Sequence, residues 1–352
     1  MSGPSVVTEN PVLTRYDGFP DALLEVPAAE LWRQLPGPSL IRIPGRDGAP
    51  LLITVLLHGN EDTGWRAVQQ VLQEHRRSML PRPLLVFVGN VAAAKARMRT
   101  LPDQEDYNRC WPGTSDPETP TARLMAKVVE IVGRERPFAS VDIHNNSGNN
   151  PHYACVSSLA ETHLHLARLF GRTVVYFTRP LGVQSAAFSP LCPAVTVECG
   201  RAGPITGVSH AAEFISAALA LQHFPDHPVP TGDLDLMRTF AIIKVPPDAS
   251  FSYDGSESDF RFRQDLDRLN FSELEAGTCF GRLGGSGTKR LDVVPGAEVT
   301  AVGPYFDYGR GEIRLSRQAI PAMLTLDPHA VRLDSLGYLM HRIGRDGRRL
   351  AG

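Results

Sequence analysis

Leu51-Leu52-Ile53-Thr54-Val55-Leu56-Leu57 is an almost unbroken aliphatic run, and it stops at His58-Gly59-Asn60-Glu61. A run this short and this apolar reads as a strand buried on both faces, which calls for an α/β sheet with helices packed on each side. Ligands in open α/β sheets collect just past the carboxyl ends of the strands. At that point the chain places an imidazole, a glycine turn and a carboxylate. Both side chains can face one point, as the first two protein ligands of a zinc ion must. Beyond the turn, Trp65, Ala67, Val68, Val71 and Leu72 fall at helical spacing, so a helix is expected to run back and end before Pro81.

The same alternation recurs downstream. Leu84 to Val88 reads as a second buried strand that stops at Gly89-Asn90, and Thr121 to Val132 as a helix. Phe138 to Ile143 is a third strand ending at His144, followed by the turn-rich Asn145-Asn146-Ser147-Gly148-Asn149-Asn150. Ala194 to Glu198 is a strand that ends in a carboxylate, and His210 to His223 a closing helix. Between these, Val91 to Gly113 is polar, keeps no sustained period and carries Arg97, Arg99, Asp106, Asn108 and Arg109. It reads as a long loop, and a long loop inside a compact domain is usually functional. Ser39 to Pro44 is expected to be an edge strand.

Three segments are expected on this basis. Residues 1–30 form a polar, proline-bearing surface segment, 31–225 a catalytic α/β domain, and 226–345 a smaller β-rich domain. The last opens within the linker-like prolines and histidines of Phe224 to Gly232 and shows short alternating stretches at Thr239–Val245, Cys279–Leu283, Val293–Val302 and Glu312–Leu315.

A chain of 352 residues has room for two such domains. Its 36 basic and 38 acidic residues leave a formal charge of −2, so nothing draws it to nucleic acid or to an anionic membrane. No apolar run approaches the ~20 residues of a spanning helix. Met1 to Leu13 lacks the basic and apolar regions of a signal peptide, so a cytoplasmic location is expected, with homo-oligomerisation left open. The five cysteines are scattered and form no close pair, which disfavours both a disulfide framework and a cysteine zinc site.

The strand ends therefore collect His58, Glu61, His144 and Glu198. Two imidazoles and one carboxylate hold a zinc ion and leave its fourth position for water. Glu198 can then take the water's proton and pass it to a leaving amine. Arg97, Arg99 and Arg109 offer positive charge for a developing oxyanion or a substrate carboxylate, and Asn108 adds a neutral donor. Blander readings stand beside these. A histidine at a strand end can be an ordinary surface group, and Glu198 can cap a following helix. Cys199 can be mere packing, and Gly281 to Lys289 fits a hairpin turn better than a phosphate loop. Gly207-Val208-Ser209-His210-Ala211 is a degenerate nucleophile elbow lacking a good strand before it.

Four segments also resemble a known family. His58-Gly59-Asn60-Glu61, Gly89-Asn90 with Asp106-Tyr107-Asn108-Arg109, Asp142-Ile143-His144-Asn145 and Val197-Glu198-Cys199-Gly200 resemble the succinylglutamate desuccinylase/aspartoacylase branch of the zinc carboxypeptidase superfamily. The likeness covers roughly residues 50–220. It implies a mixed sheet of about eight strands flanked by helices, followed by a β-rich domain capping the active site. It implies one zinc on His58, Glu61 and His144, with Glu198 as general base and Arg99 on the oxyanion. Asn108 and Arg109 would hold the substrate carboxylate. The family's arginine lies seven positions before the Asn-Arg pair, where this chain has Leu101, so Arg97 remains the alternative to Arg99. Tyr308 is assigned the family's active-site tyrosine, with Tyr305 its rival. The implied activity is hydrolysis of a small N-acyl amino acid or related amide, the alternative being a metallocarboxypeptidase acting on peptide C-termini.

Overall fold

A computed structural model describes residues 11–46, 48–296 and 304–350. The chain divides into two compact units. Unit 1 takes the chain up to Asn145 together with Ala154–Gly171 and Pro180–Val229; unit 2 takes Asn146–Tyr153, Arg172–Arg179 and the chain from Pro230 onward. A single cut at 225/226 therefore misses two short excursions, each of which leaves unit 1 and returns to it.

In chain order the elements of the first two-thirds are β1 (Thr14–Asp17), β2 (Ser39–Ile43), β3 (Leu51–Val55), α1 (Thr63–Glu74), β4 (Leu84–Val88), α2 (Val91–Ala96) and α3 (Pro120–Arg134). There follow β5 (Ala139–His144), β6 (Tyr153–Val156), α4 (Glu161–Phe170), β7 (Thr173–Tyr176), α5 (Gln184–Phe188), β8 (Ala194–Glu198) and α6 (Ile205–Ala220). The strands of unit 1 run in the order β1-β2-β4-β3-β5-β8-β6. β3 is parallel to β4 and β5, and β5 to β8, whereas β2 is antiparallel to β4. Every residue of β3, β4, β5 and β8 is buried. That explains why β3 and β4 are nearly continuous aliphatic runs, whereas β5 and β8 set apolar residues on one face against the buried polar Ser140, Asp142, His144, Thr196 and Glu198.

Helices cover each face. α1 turns Trp65, Ala67, Val68, Val71 and Leu72 inward. It approaches the sheet so closely at Gly64 that a β-carbon there would lie 2.9 Å from the side chains of Val55 and Ile143. On the opposite face Leu52, Phe87, Trp111, Met125, Val128 and Phe188 share one core cluster, built under α3 and α5.

Four expectations change. Ser39–Ile43 is not the edge: β1 pairs parallel to it from outside, because Thr14–Asp17 is extended and in register with Ser39–Arg42. The segment ahead of residue 30 thus adds a strand and also buries Leu23 completely. β3 ends at Val55 rather than Leu57, and the stretch from Val91 opens with a short helix.

Unit 2 holds β7 and then β9 (Asp235–Lys244), β10 (Phe251–Ser252), β11 (Phe260–Phe262), β12 (Cys279–Leu283), β13 (Asp292–Pro295), β14 (Phe306–Asp307), β15 (Glu312–Leu315), β16 (Ile320–Ala322), α7 (Pro328–Leu333) and β17 (Gly337–Arg342). β7, β9, β17 and β16 are neighbours in that order, with β13 also on β9. β10-β11-β12-β15-β14 make a separate five-stranded sheet. Phe240, Phe260, Phe280, Phe306 and Leu339 pack in one core. Gly281 to Leu283 end β12 and the rest of the stretch through Lys289 leads toward β13 in the other sheet, so this is a turn but not a hairpin. The strand expected over 293–302 is present through Pro295; residues 297–302 lie outside the described residues. The molecule is thus a mixed α/β sheet flanked by helices with a second, small β-sheet. No helix among the described residues is long and apolar enough to cross a membrane.

Candidate metal centre

The turn after β3 is shaped by backbone. Leu56 takes a left-handed φ of 56°, which breaks the extended strand while Leu56 itself stays buried. The carbonyls of Val55 and Leu56 accept the amides of Gly89 at 3.0 Å and Asn90 at 2.6 Å, so the ends of β3 and β4 are tied together. Gly59 lies directly against α2: a β-carbon there would come within 2.1 Å of the Ala93 carbonyl carbon. Asn90 caps that helix, its Oδ1 accepting from Ala93 N at 3.0 Å. The same side chain donates from Nδ2 to Gln104 Oε1 at 2.8 Å, which fastens the following loop. Gly89-Asn90 is therefore scaffold for the turn.

His58, Glu61 and His144 converge, with one ligand atom from each lying within 4.8 Å of the others. All three are buried, at 3%, 7% and 4% exposure. His58 Nδ1 lies 2.8 Å from Glu61 Oε1, and His144 Nδ1 lies 2.8 Å from Glu61 Oε2. Each imidazole is backed on its other nitrogen by a carboxylate: His58 Nε2 by Asp106 Oδ1 at 3.1 Å, His144 Nε2 by Asp142 Oδ2 at 2.8 Å. Among the described residues this is the one His/Cys/Asp/Glu group that could hold a metal ion.

The donor set fits a divalent cation. When each Nε2–H donates to its aspartate, each Nδ1 turns a lone pair toward a carboxylate oxygen. Such a cluster needs positive charge at its centre, either a second proton on the rings or a cation among them. The electrostatics point the same way. Burial works to raise the Glu61 carboxyl, but His58 and His144 hold it well below the usual range. Burial works to lower His144, yet Asp142 and Glu61 hold it well above the ordinary imidazole range. Asn145, next along the chain, donates its amide to Glu61 Oε2 at 3.0 Å and its side-chain Nδ2 to Gly200 O at 2.9 Å. That bracket ties the end of β5 to the segment after β8.

Glu198 is in register with His144 on the neighbouring parallel strand, so both side chains leave the same face of the sheet. It is buried at 8% exposure, and α6 begins too far beyond it, with Pro204 at the cap, for it to cap that helix. Burial pushes the Cys155 and Cys199 thiols well up, and Glu198 adds to both, so neither serves as a thiolate.

The loop carries its charges in a fixed order. Arg99 donates from Nε and Nη2 to Asp106 Oδ2 at 3.2 and 2.9 Å, and its Nη1 lies 3.8 Å from Glu61 Oε1. Burial works to raise the Asp106 carboxyl, but Arg99 and then His58 hold it well below its ordinary value. Arg97, by contrast, is exposed in a left-handed conformation at the end of α2. Asn108 is buried, with Nδ2 3.1 Å from His144 Nε2, and Arg109 Nη1 donates to Asn108 O at 2.8 Å.

In unit 2, the Tyr308 hydroxyl accepts the Leu291 amide at 3.0 Å and its ring lies under Arg290. Tyr305 stacks on Phe240, and its buried hydroxyl has no partner among the described residues. Ser209 lies inside α6 with no strand leading into it, so the nucleophile-elbow pattern has no structural counterpart. Sequence reasoning gave no role to Asp106 or Asp142 and passed over Gln184. Asp142 carried a signal, since a residue two before a strand-end ligand shares its face.

Residues 47–223 match the model of the succinylglutamate desuccinylase/aspartoacylase catalytic domain. No curated protein matches the chain. Among solved structures, a succinylglutamate desuccinylase from Chromobacterium violaceum superposes with a TM-score of 0.55 at 18% identity, over 84% of this chain and 86% of that one. A succinylglutamate desuccinylase/aspartoacylase from Rhodobacter sphaeroides gives 0.55 at 17%, over 86% and 88%. Murine aminoacylase 3 gives 0.53 at 15%, over 85% and 97%. At these identities the likeness carries the fold.

Proposed function

The chain belongs to the succinylglutamate desuccinylase/aspartoacylase family, and from that premise we propose that it is a zinc-dependent hydrolase cleaving the amide bond of a small, carboxylate-bearing N-acyl amino acid. The observation that carries this reading is the convergence of His58, Glu61 and His144, with Glu198 on the adjacent strand leaving the same face.

His58, Glu61 and His144 would hold the zinc, which supplies a Lewis acid that polarises the scissile carbonyl and acidifies water. The remaining work falls to the protein. Glu198 takes the proton of the attacking water as the new carbon–oxygen bond forms, then gives it to the nitrogen as the carbon–nitrogen bond breaks. The products are a carboxylate and an amine. Arg99, held by Asp106 beside Glu61, faces the developing oxyanion with fixed N–H donors. Asn108 and Arg109 grip the substrate carboxylate, the guanidinium being suited to two parallel hydrogen bonds.

The test is a panel of N-acyl amino acids and short peptides offered to zinc-loaded protein. Release of free amine from the acylated amino acids is expected, and Glu198→Gln should lower kcat by roughly 10²- to 10⁴-fold while zinc content holds. Faster release of C-terminal residues from peptides would favour a carboxypeptidase instead. Full turnover by Glu198→Gln would remove the base assignment.

A further inference from the structure

The orientation of the Asn108 amide is set from outside its own loop. Its Oδ1 accepts the backbone N–H of Gln184 at 3.0 Å, and a backbone N–H can only donate. The amide is therefore turned with Nδ2 toward His144 Nε2, 3.1 Å away. His144 Nε2 cannot both donate to Asp142 and accept from Asn108, so the amide's orientation rests on the Gln184 N–H, and of the two Nδ2 hydrogens at most one faces the imidazole, which leaves the other as a donor. A flipped amide would press Nδ2 against the Gln184 N–H, donor against donor.

Gln184 is anchored with equal specificity. Its side chain is fully buried, and Nε2 donates to Thr54 Oγ1 at 2.9 Å and Ser140 Oγ at 2.8 Å. Those hydroxyls belong to β3 and β5, the strands that lead to His58 and His144. The segment just before Gln184 presses on the loop as well. Gly182 O accepts the Trp111 amide at 3.0 Å, and a β-carbon on Gly182 would fall 2.1 Å from Arg109 O. Gly182 also has a φ of +70°, so glycine is required there twice over.

We infer that Gln184 is a specificity-positioning residue: by fastening the 182–184 segment to β3 and β5 it locks Asn108 as a hydrogen-bond donor, and so makes the site prefer a substrate carboxylate over a carboxamide. The inference rests on the amide-hydrolase reading and acts through Asn108. A carboxylate can only accept, which suits a donor-only partner, whereas a freely flipping asparagine would serve a carboxamide nearly as well.

The experiment compares kcat and KM for the preferred N-acyl amino acid and its carboxamide analogue in wild type, Gln184→Leu and Ser140→Ala. Wild type should prefer the carboxylate. Gln184→Leu should cut that preference about tenfold through KM, with kcat kept within about threefold and zinc still bound. Ser140→Ala removes one anchor, should shift the preference the same way by less, and carries the test where Gln184→Leu does not fold. An unchanged preference in the folded variants would overturn the inference, as would a joint fall in kcat and zinc content with KM unmoved. Absence of any wild-type turnover would instead sink the hydrolase reading, and this inference with it.

Discussion

Glu61 meets an imidazole at each of its two oxygens, and each imidazole has an aspartate behind it. An imidazole so held keeps its proton on the far nitrogen and its lone pair on the near one, which is the state a metal requires. Asp142 does this for His144 from within the same strand, fully buried. Replacing it with asparagine keeps the shape and removes the charge. Asp142→Asn should weaken zinc binding by about 10- to 100-fold, read by competition with a chromophoric chelator. Wild-type affinity in that variant would mean the aspartate does not hold the ring. The grouping of His58, Glu61 and His144, and the place of Glu198 beside His144, were legible in the chain because each ends or closely follows an apolar strand. Gln184 was not, because nothing in its neighbourhood marks a glutamine whose backbone amide orients a residue seventy-six positions away.

The helices and strands matter mainly through where they stop. Leu56 ends β3 by adopting a positive φ, and the two residues gained let His58 and Glu61 turn back together. α2 closes over that turn. It escaped sequence reading because six residues are too few to show a period, and its sequence of small residues buries only Val91, Ala93 and Ala94. Its contact with Gly59 is backbone on backbone, so the neighbour cannot yield by changing a rotamer. Gly59→Ala should therefore cost about 1–3 kcal/mol in urea unfolding and lower zinc affinity with it. An alanine variant as stable as wild type would show that α2 can move aside freely. β2 was read as an edge because its own residues look like one; only the pairing with Thr14–Asp17 makes it interior.

At the scale of the molecule, every group assigned to binding the metal or moving the proton lies in unit 1. Metal that binds the native state alone stabilises it by mass action, by about 2.7 kcal/mol at a hundredfold excess over Kd. Stripping with a chelator should lower the melting temperature by about 5–10 °C, and zinc added back should restore it. A melting curve indifferent to the chelator would speak against a metal bound by these three side chains.

The sequence by itself determined the buried parallel strands, the helices between them and the metal-ligating residue types at strand ends. Those properties depend on local hydrophobic pattern and on residues close together along the chain. Only the tertiary structure decided which charges face one another. The pairing of Arg99 rather than Arg97 with Asp106 depends on how one loop folds back on itself, while Asp106 reaches His58 across 48 positions and Gln184 reaches Asn108 across 76; only Asp142, two residues before His144, is a local partner. Their partners are set by strand register and loop closure, and a pattern of residue types cannot encode a distance between loops it does not pair.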